Sequence, residues 1–202
     1  MPKSPARLSI LSLLILATLP LALVAHAEVW EVDRNHTRVV FSVRHVLTPV
    51  PGQFNDFDGV IVYDPAQPAA STVEFTVQTA SIDTRNERRD NHLRSADFFD
   101  AATYPTLTFK SKKVVPLTGA ALAVTGDLTL RGVTQEVTVP VEVLGVMGDK
   151  AGFQAEFTVD RQDYGIVWNR ALDQGGMLLG DDVTIELTVE ADRRKPEEQP
   201  AG

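Results

Sequence analysis

The sequence predicts an all-β protein: a single closed antiparallel β-barrel of about eight strands with one short helix. Three observations carry this expectation. Apolar residues recur with period two over most of the chain, the positions between them are mainly Thr, Glu, Lys and Arg, and no amphipathic helices are available to cover a second apolar face. An open sheet of this length would leave unpaired edges; closing it removes the edges and gives the apolar face an inside. A two-sheet sandwich is the alternative that the same periodicity allows.

Residues 1–27 read as an export signal rather than as part of the fold. Lys3 and Arg7 precede a Leu/Ile-rich run from Leu8 to Leu19, Pro20 ends it, and Ala25-His26-Ala27 has the small-x-small pattern of a processing site. The run falls short of the roughly 20 residues that span a bilayer. The expected organisation is a signal peptide over 1–27, a barrel over 28–192 and a disordered tail over 193–202, the tail being charged and broken by Pro196 and Pro200. The mature protein is expected in the periplasm, without stable membrane insertion.

The strands follow in order. In Thr37–His45, Val39, Phe41 and Val43 alternate with Arg38, Ser42 and Arg44. Over Gln53–Tyr63 the period slips: Phe54 and Phe57 are three apart and Gly59 precedes Val60-Ile61-Val62, as a β-bulge near Asp56 to Gly59 would produce. Val73, Phe75 and Val77 point inward from the next strand. The polar stretch Asn86–Arg94 is the one break in the β pattern and reads as a short helix covering a barrel end, with Thr84 as cap and Glu87 at the capping-box position. Strands resume with Leu107 and Phe109, then Leu122, Val124, Leu128 and Leu130. Arg131-Gly132 marks a tight hairpin turn into Val133, Val137, Val139, Val141 and Val143; Pro140, on the outward set, suits an edge or bulge. Phe153, Phe157 and Val159, then Val183, Ile185, Leu187 and Val189, complete the inward face.

Composition narrows the chemistry. The chain has no cysteine, which removes disulfides and thiolate metal sites. Without Lys3 and Arg7 the 19 basic residues fall to 17 against 27 acidic ones, a net charge of −10 that disfavours nucleic acid as a partner. His36, His45 and His92 show no metal-ligand spacing, so no metal is expected; His36, His92 and Asp90 are the least unfavourable set. There is no Gly-x-Ser-x-Gly elbow, phosphate loop or dinucleotide fingerprint, and the pairs Asp97/Asp100 and Asp181-Asp182 read as loop punctuation. Arg85, Arg88, Arg89, His92 and Arg94 form the one basic cluster, either a solvated face paired with Asp83, Glu87 and Asp90 or a contact for a polar head group. Tyr164 and Trp168, in a loop before the last strand, read as a lid or a plug at one barrel end.

Several stretches carry a family resemblance. They are Trp30–Thr37, Gly52-Gln53-Phe54, Ser81–Thr84 with Arg89–Leu93, Asp97–Asp100 with Tyr104-Pro105, Gly126–Thr134, and Asp160–Gly165. In content and order they resemble the YceI-like family of bacterial proteins. The resemblance implies a lipocalin-like barrel, usually periplasmic, whose lumen holds an isoprenoid or other amphiphilic lipid tail. On that basis the inward residues Val39, Phe41, Val43, Phe54, Phe75, Val77, Leu107, Phe109 and Leu128 are expected to contact a tail. So are Leu130, Val137, Val139, Phe157, Val159, Trp168, Ile185 and Leu187. His36, Arg89 and His92 are expected at the head group. The expected function is non-catalytic binding or carriage of an isoprenoid or quinone-type lipid, with no other cofactor. The alternatives are a stress-related or interaction module whose barrel is filled by side chains, and an enzyme acting on a lipid head group.

If the signal reading holds, protein purified from the periplasmic fraction of a bacterial host begins at Glu28 by intact mass. Full-length chain retained in the membrane fraction would overturn it.

Overall fold

The computed structural model describes residues 28–173 and 175–195; the expected signal segment and the chain beyond 195 lie outside the described residues. Strand β1 (Glu28–Val32) continues after a turn into β2 (Arg38–His45), and β3 (Thr48–Phe54) likewise continues into β4 (Phe57–Tyr63). Strand β5 (Thr72–Gln78) is followed by the two-residue β6 (Ile82–Asp83). These three interrupted strands, with β7 (Thr106–Pro116), β8 (Ala121–Leu130), β9 (Val133–Met147), β10 (Lys150–Asp160) and β11 (Leu179–Arg193), are the 8 staves of a closed antiparallel barrel. Each stave pairs with the next in sequence. Closure is made by β11, which pairs with β10 on one edge and with β2 and β1 on the other. The single α-helix among the described residues, α1 (Glu87–Arg94), lies between β6 and β7.

The pleat puts the expected alternation to use. Val39, Phe54, Val77, Leu122, Val124, Leu130, Val139, Phe153, Val159 and Val189 are all buried. Trp30 is fully buried at one end, its indole N–H donating to the Tyr63 carbonyl at 3.4 Å, with Tyr63 set edge-on to Phe153 at 5.6 Å. The Arg131-Gly132 turn has φ of 51° and 74°, as a two-residue hairpin requires.

Four local expectations are corrected. The irregularity between β3 and β4 lies at Asn55-Asp56 rather than reaching Gly59, which sits within a regular ladder opposite Phe75. The helix is capped by Asn86, whose side chain accepts from the Arg89 N–H, because Thr84 is engaged elsewhere. The tail does not begin at 193. Closure carries β11 through Arg193, whose guanidinium lies 5.0 Å from the Trp30 ring centre and 2.9 Å from Glu28, and Arg194 reaches Glu31 at 2.7 Å. Finally, the β9–β10 ladder stops at Val141↔Ala155, beside Pro140, so Val137 lies along an edge with no β10 partner.

The turn between β1 and β2 is stapled to the closing strands by charge. Lys150 lies 3.1 Å from Asp33, 3.0 Å from Glu190 and 2.7 Å from Asp192, and His36 Nδ1 is 2.8 Å from Asp33. The hydrogen bond from His36, with others from the Asn35 N–H and Lys150, holds the Asp33 carboxyl far below the usual range. The same contact raises the His36 imidazole above its ordinary value.

Two outcomes are expected. Gly126→Ala destabilises by roughly 1–3 kcal/mol in urea titration, through strain in a packed wall, because its Cβ would fall 2.5 Å from the Lys110 carbonyl oxygen and 2.8 Å from Phe109. Stability equal to wild type would remove that account. The His36 contact stabilises fully below the unperturbed pKa of 6.5 and fades as pH rises through the raised folded value. The urea midpoint of His36→Asn therefore lies below wild type in mild acid, and the gap closes toward alkaline pH; a gap independent of pH would show that the imidazolium contributes nothing.

Candidate functional site

The lumen stays open because its largest side chains lean on glycines. Phe41 is paired directly with Gly52 and Phe75 with Gly59, while Phe109 lies diagonally across from Gly126. A Cβ on those glycines would come within 2.3, 2.6 and 2.8 Å of the respective rings. Each ring thus rests over a neighbouring strand at a point where any other residue would push it toward the axis.

Two chambers result. The larger, about 610 Å³, lies between the barrel and α1; Phe41, Val43, Phe54, Leu107, Leu130, Val159, Trp168 and Ile185 line it, as expected. The deeper, about 180 Å³, is lined by Val39, Phe75, Val77, Phe109, Leu128, Val139, Phe157 and Leu187, also as expected. Phe41, Phe54, Leu107 and Ile185 belong to both and form a waist, with the two phenylalanine rings 5.5 Å apart. Val137 lines neither chamber, since the sheet parts beside it. The larger volume falls within the range of small-molecule pockets, roughly 300–1,000 Å³. The barrel is therefore not filled by its own side chains.

The mouth of the larger chamber is basic. Arg88, Arg89 and His92 face it from α1, with Thr84 and Asn86 just before the helix and Arg161 and His45 from the wall. Among the described residues no carboxylate lines it. Arg89 donates from Nε to the Thr84 hydroxyl and from Nη2 to the Thr84 carbonyl, both at 2.7 Å. Thr84 in turn donates its N–H to the buried Asp90 carboxylate at 2.9 Å, so Asp90 serves the helix entry and does not pair with an arginine. Among the described residues Arg85, Arg88, Arg89 and Arg94 make no ion pair, which sets aside the reading of a face neutralised by Asp83, Glu87 and Asp90.

His92 packs edge-on against Phe98 and Trp168, with ring centres 5.0 and 4.9 Å away, while its Nε2 is 2.8 Å from Asp97. Trp168 thus forms part of the mouth, whereas Tyr164 is buried in the core with Phe98, Leu130, Val159 and Ile166. Burial pushes the Tyr164 phenol up to about 12.

His36 is not at this mouth. The turn between β1 and β2 carries it to the exposed side of the Asp33–Lys150 cluster, and it lines neither chamber. Metal-ligand geometry brings it together with Asp33 and Glu190, not with His92 and Asp90. The Lys150 ammonium already pairs with both of those carboxylates.

Arg161 went unrecognised as a site residue. It is buried, donates to the carbonyls of Gly180 (2.9 Å), Ile166 (2.5 Å) and Trp168 (2.9 Å), and meets Asp181 at 3.0 Å. Its signal was present in Asp160–Gly165, a stretch too polar for a strand. Leu93, Phe98, Phe99 and Ile166, which also line the mouth, come from segments without period-two patterning.

Comparison with known proteins agrees with this architecture. Protein YceI of Escherichia coli O157:H7 is 41% identical over 150 residues, covering 70% of this chain and 78% of that protein. The crystal structure of Burkholderia cenocepacia BcnA superposes with a TM-score of 0.73 at 29% identity, covering 79% of this chain and 98% of that one. A polyisoprenoid binding domain from Saccharophagus degradans, implicated in plant cell wall breakdown, shares the fold at 14% identity, with a TM-score of 0.62 over 82% of this chain and 98% of its own. The model of the YceI-like domain matches residues 30–191, and the chain belongs to the YceI-like family.

Proposed function

We propose that the protein is a non-catalytic periplasmic carrier for an isoprenoid-like amphiphilic lipid, its tail in the two chambers and its head at the α1 mouth. The observation that carries this reading is the pairing of a long apolar lumen with a mouth whose charged lining groups are all basic, in a chain of net charge −8. Burial of one five-carbon isoprene unit contributes on the order of 3–4 kcal/mol, so a few units offset the cost of fixing a ligand. Tail recognition of this kind is tolerant of length. Arg88 and Arg89 suit phosphate or quinone oxygens, because guanidinium donors fork toward such acceptors. The groups whose titration is strongly shifted, Asp33, Lys150 and Tyr164, line neither chamber, which favours binding over acid–base chemistry. The Saccharophagus domain, named for polyisoprenoid binding, supports the same ligand class.

Native mass spectrometry of the purified protein, followed by organic extraction, tests this. Bound isoprenoid, or uptake of geranylgeraniol at one per chain, is expected. Phe157→Glu, checked for cooperative unfolding, should lower retention by about tenfold or more, given the cost of a charge in an apolar wall. An empty barrel that takes up no prenol would sink the proposal, as would a folded Phe157→Glu variant that retains ligand like wild type.

A further inference from the structure

The larger chamber opens among loops that turn apolar side chains outward, and the most exposed of these follows a strained valine in a two-residue turn. Strands β2 and β3 are joined by Val46 and Leu47 alone, with His45 paired to Thr48. Two-residue hairpins take positive φ at one or both central positions, which favours Gly, Asn or Asp there. Here Val46 sits at φ 55°, where a β-branched residue is an outlier, and Leu47 beside it is 89% exposed. On the loop before β11, Val167 is 66% and Met177 45% exposed.

These side chains share one rim. His45 lines the mouth just before the turn, Ile166 and Trp168 flank Val167, and Leu178 follows Met177. The turn and the loop are tied directly: the Val46 N–H donates to the Leu178 carbonyl and the Leu178 N–H to the Arg170 carbonyl, both at 2.8 Å. Arg88 lines the same opening, Arg85 precedes α1 and Arg170 follows Trp168 by two residues; all three are exposed and make no ion pair among the described residues. Of the nearby acids, Asp97 is held by His92 and Asp181 by Arg161, while Asp83, Glu87, Asp173 and Asp182 make no ion pair among the described residues.

We propose that this rim docks the barrel mouth-first on the surface of an anionic lipid bilayer. Leu47, Val167 and Met177 enter the interface while the unpaired arginines meet anionic headgroups, the combination that holds peripheral proteins on membranes. The net negative charge of the whole chain repels such a surface elsewhere and so selects the orientation. The inference rests on the lumen being a lipid site, because docking lets a tail pass from bilayer to chamber without crossing water. The opposite end also exposes apolar groups, Met147 at 82% and Leu144 at 55%, and serves as an internal control.

The test is co-sedimentation of the purified protein with vesicles of phosphatidylglycerol and phosphatidylethanolamine, against phosphatidylcholine alone. Geranylgeraniol retention is followed in parallel by native mass spectrometry. Wild type should bind the anionic vesicles, more weakly as salt rises. Leu47→Glu should lower that partition by about tenfold, through lost insertion and added repulsion, and keep its prenol. Met147→Glu should bind as wild type does. Unchanged binding by Leu47→Glu, or equal loss in Met147→Glu, overturns the proposal. So does a dimer that Leu47→Glu dissociates while vesicles stay unbound, which would assign the rim to a second copy. Wild type that keeps prenol but ignores vesicles ends the docking inference alone; vesicle binding without prenol retention ends the lumen reading and leaves docking standing.

Discussion

The pairing of β11 with both ends of the first long strand is the constraint on which the rest depends. Along one edge β11 follows β10 from Asp160↔Asp182 to Lys150↔Asp192; along the other it meets β2 at Thr188↔Arg38 and β1 at Trp30↔Arg193. Until those last pairs form, the sheet has two open edges and the apolar face has no inside. Closure also builds the floor, since Trp30, the residue paired with Arg193, is sealed against Tyr63 and Ala191 in the core beneath the deep chamber. Because the closing contacts join opposite ends of the domain, they require the whole chain and place this fold among slow-folding topologies.

Closure makes an enclosed volume, and energetics then limits what that volume holds. The apolar walls favour an apolar occupant, since each CH₂ buried there contributes about 0.8 kcal/mol. Water is a poor filler for walls of Val, Leu and Phe, which offer it few partners. The Phe41–Gly52, Phe75–Gly59 and Phe109–Gly126 contacts show that the space is kept by arrangement, each bulky ring parked over a residue with no side chain.

The walls were legible in the sequence because strand alternation is local. Once Val39 faces inward, Phe41 and Val43 do too, and all expected tail contacts except Val137 line a chamber. Val137 escaped because its surroundings depend on where the β9–β10 ladder ends, which is a property of two strands. His36 was misplaced for a related reason: the turn after Val32 breaks the period and folds the imidazole onto Asp33, within reach of Glu190 on the closing strand. Phe98, Ile166 and Arg161 reach the mouth from irregular segments, where no periodicity announces a face.

Those irregular segments explain why a cluster of charges can read as a binding site and yet be mainly structural. Loops at the mouth carry carbonyls with no ladder to accept from, and buried carbonyls need donors. Arginine supplies up to five in one plane. Arg94 donates to the carbonyls of Ala80 and Ile82, Arg131 to those of Gly165 and Ala96, and Arg161 to three more, so these guanidinium groups hold the rim in shape. Arg89 does the same at Thr84 while still facing the chamber. What remains for a ligand or a surface is the smaller set without such work, Arg88 at the opening with Arg85 before α1 and Arg170 after Trp168. The mouth is therefore preformed by one group of arginines and left cationic by another, and a head group entering it meets fixed geometry rather than loops that must first be ordered.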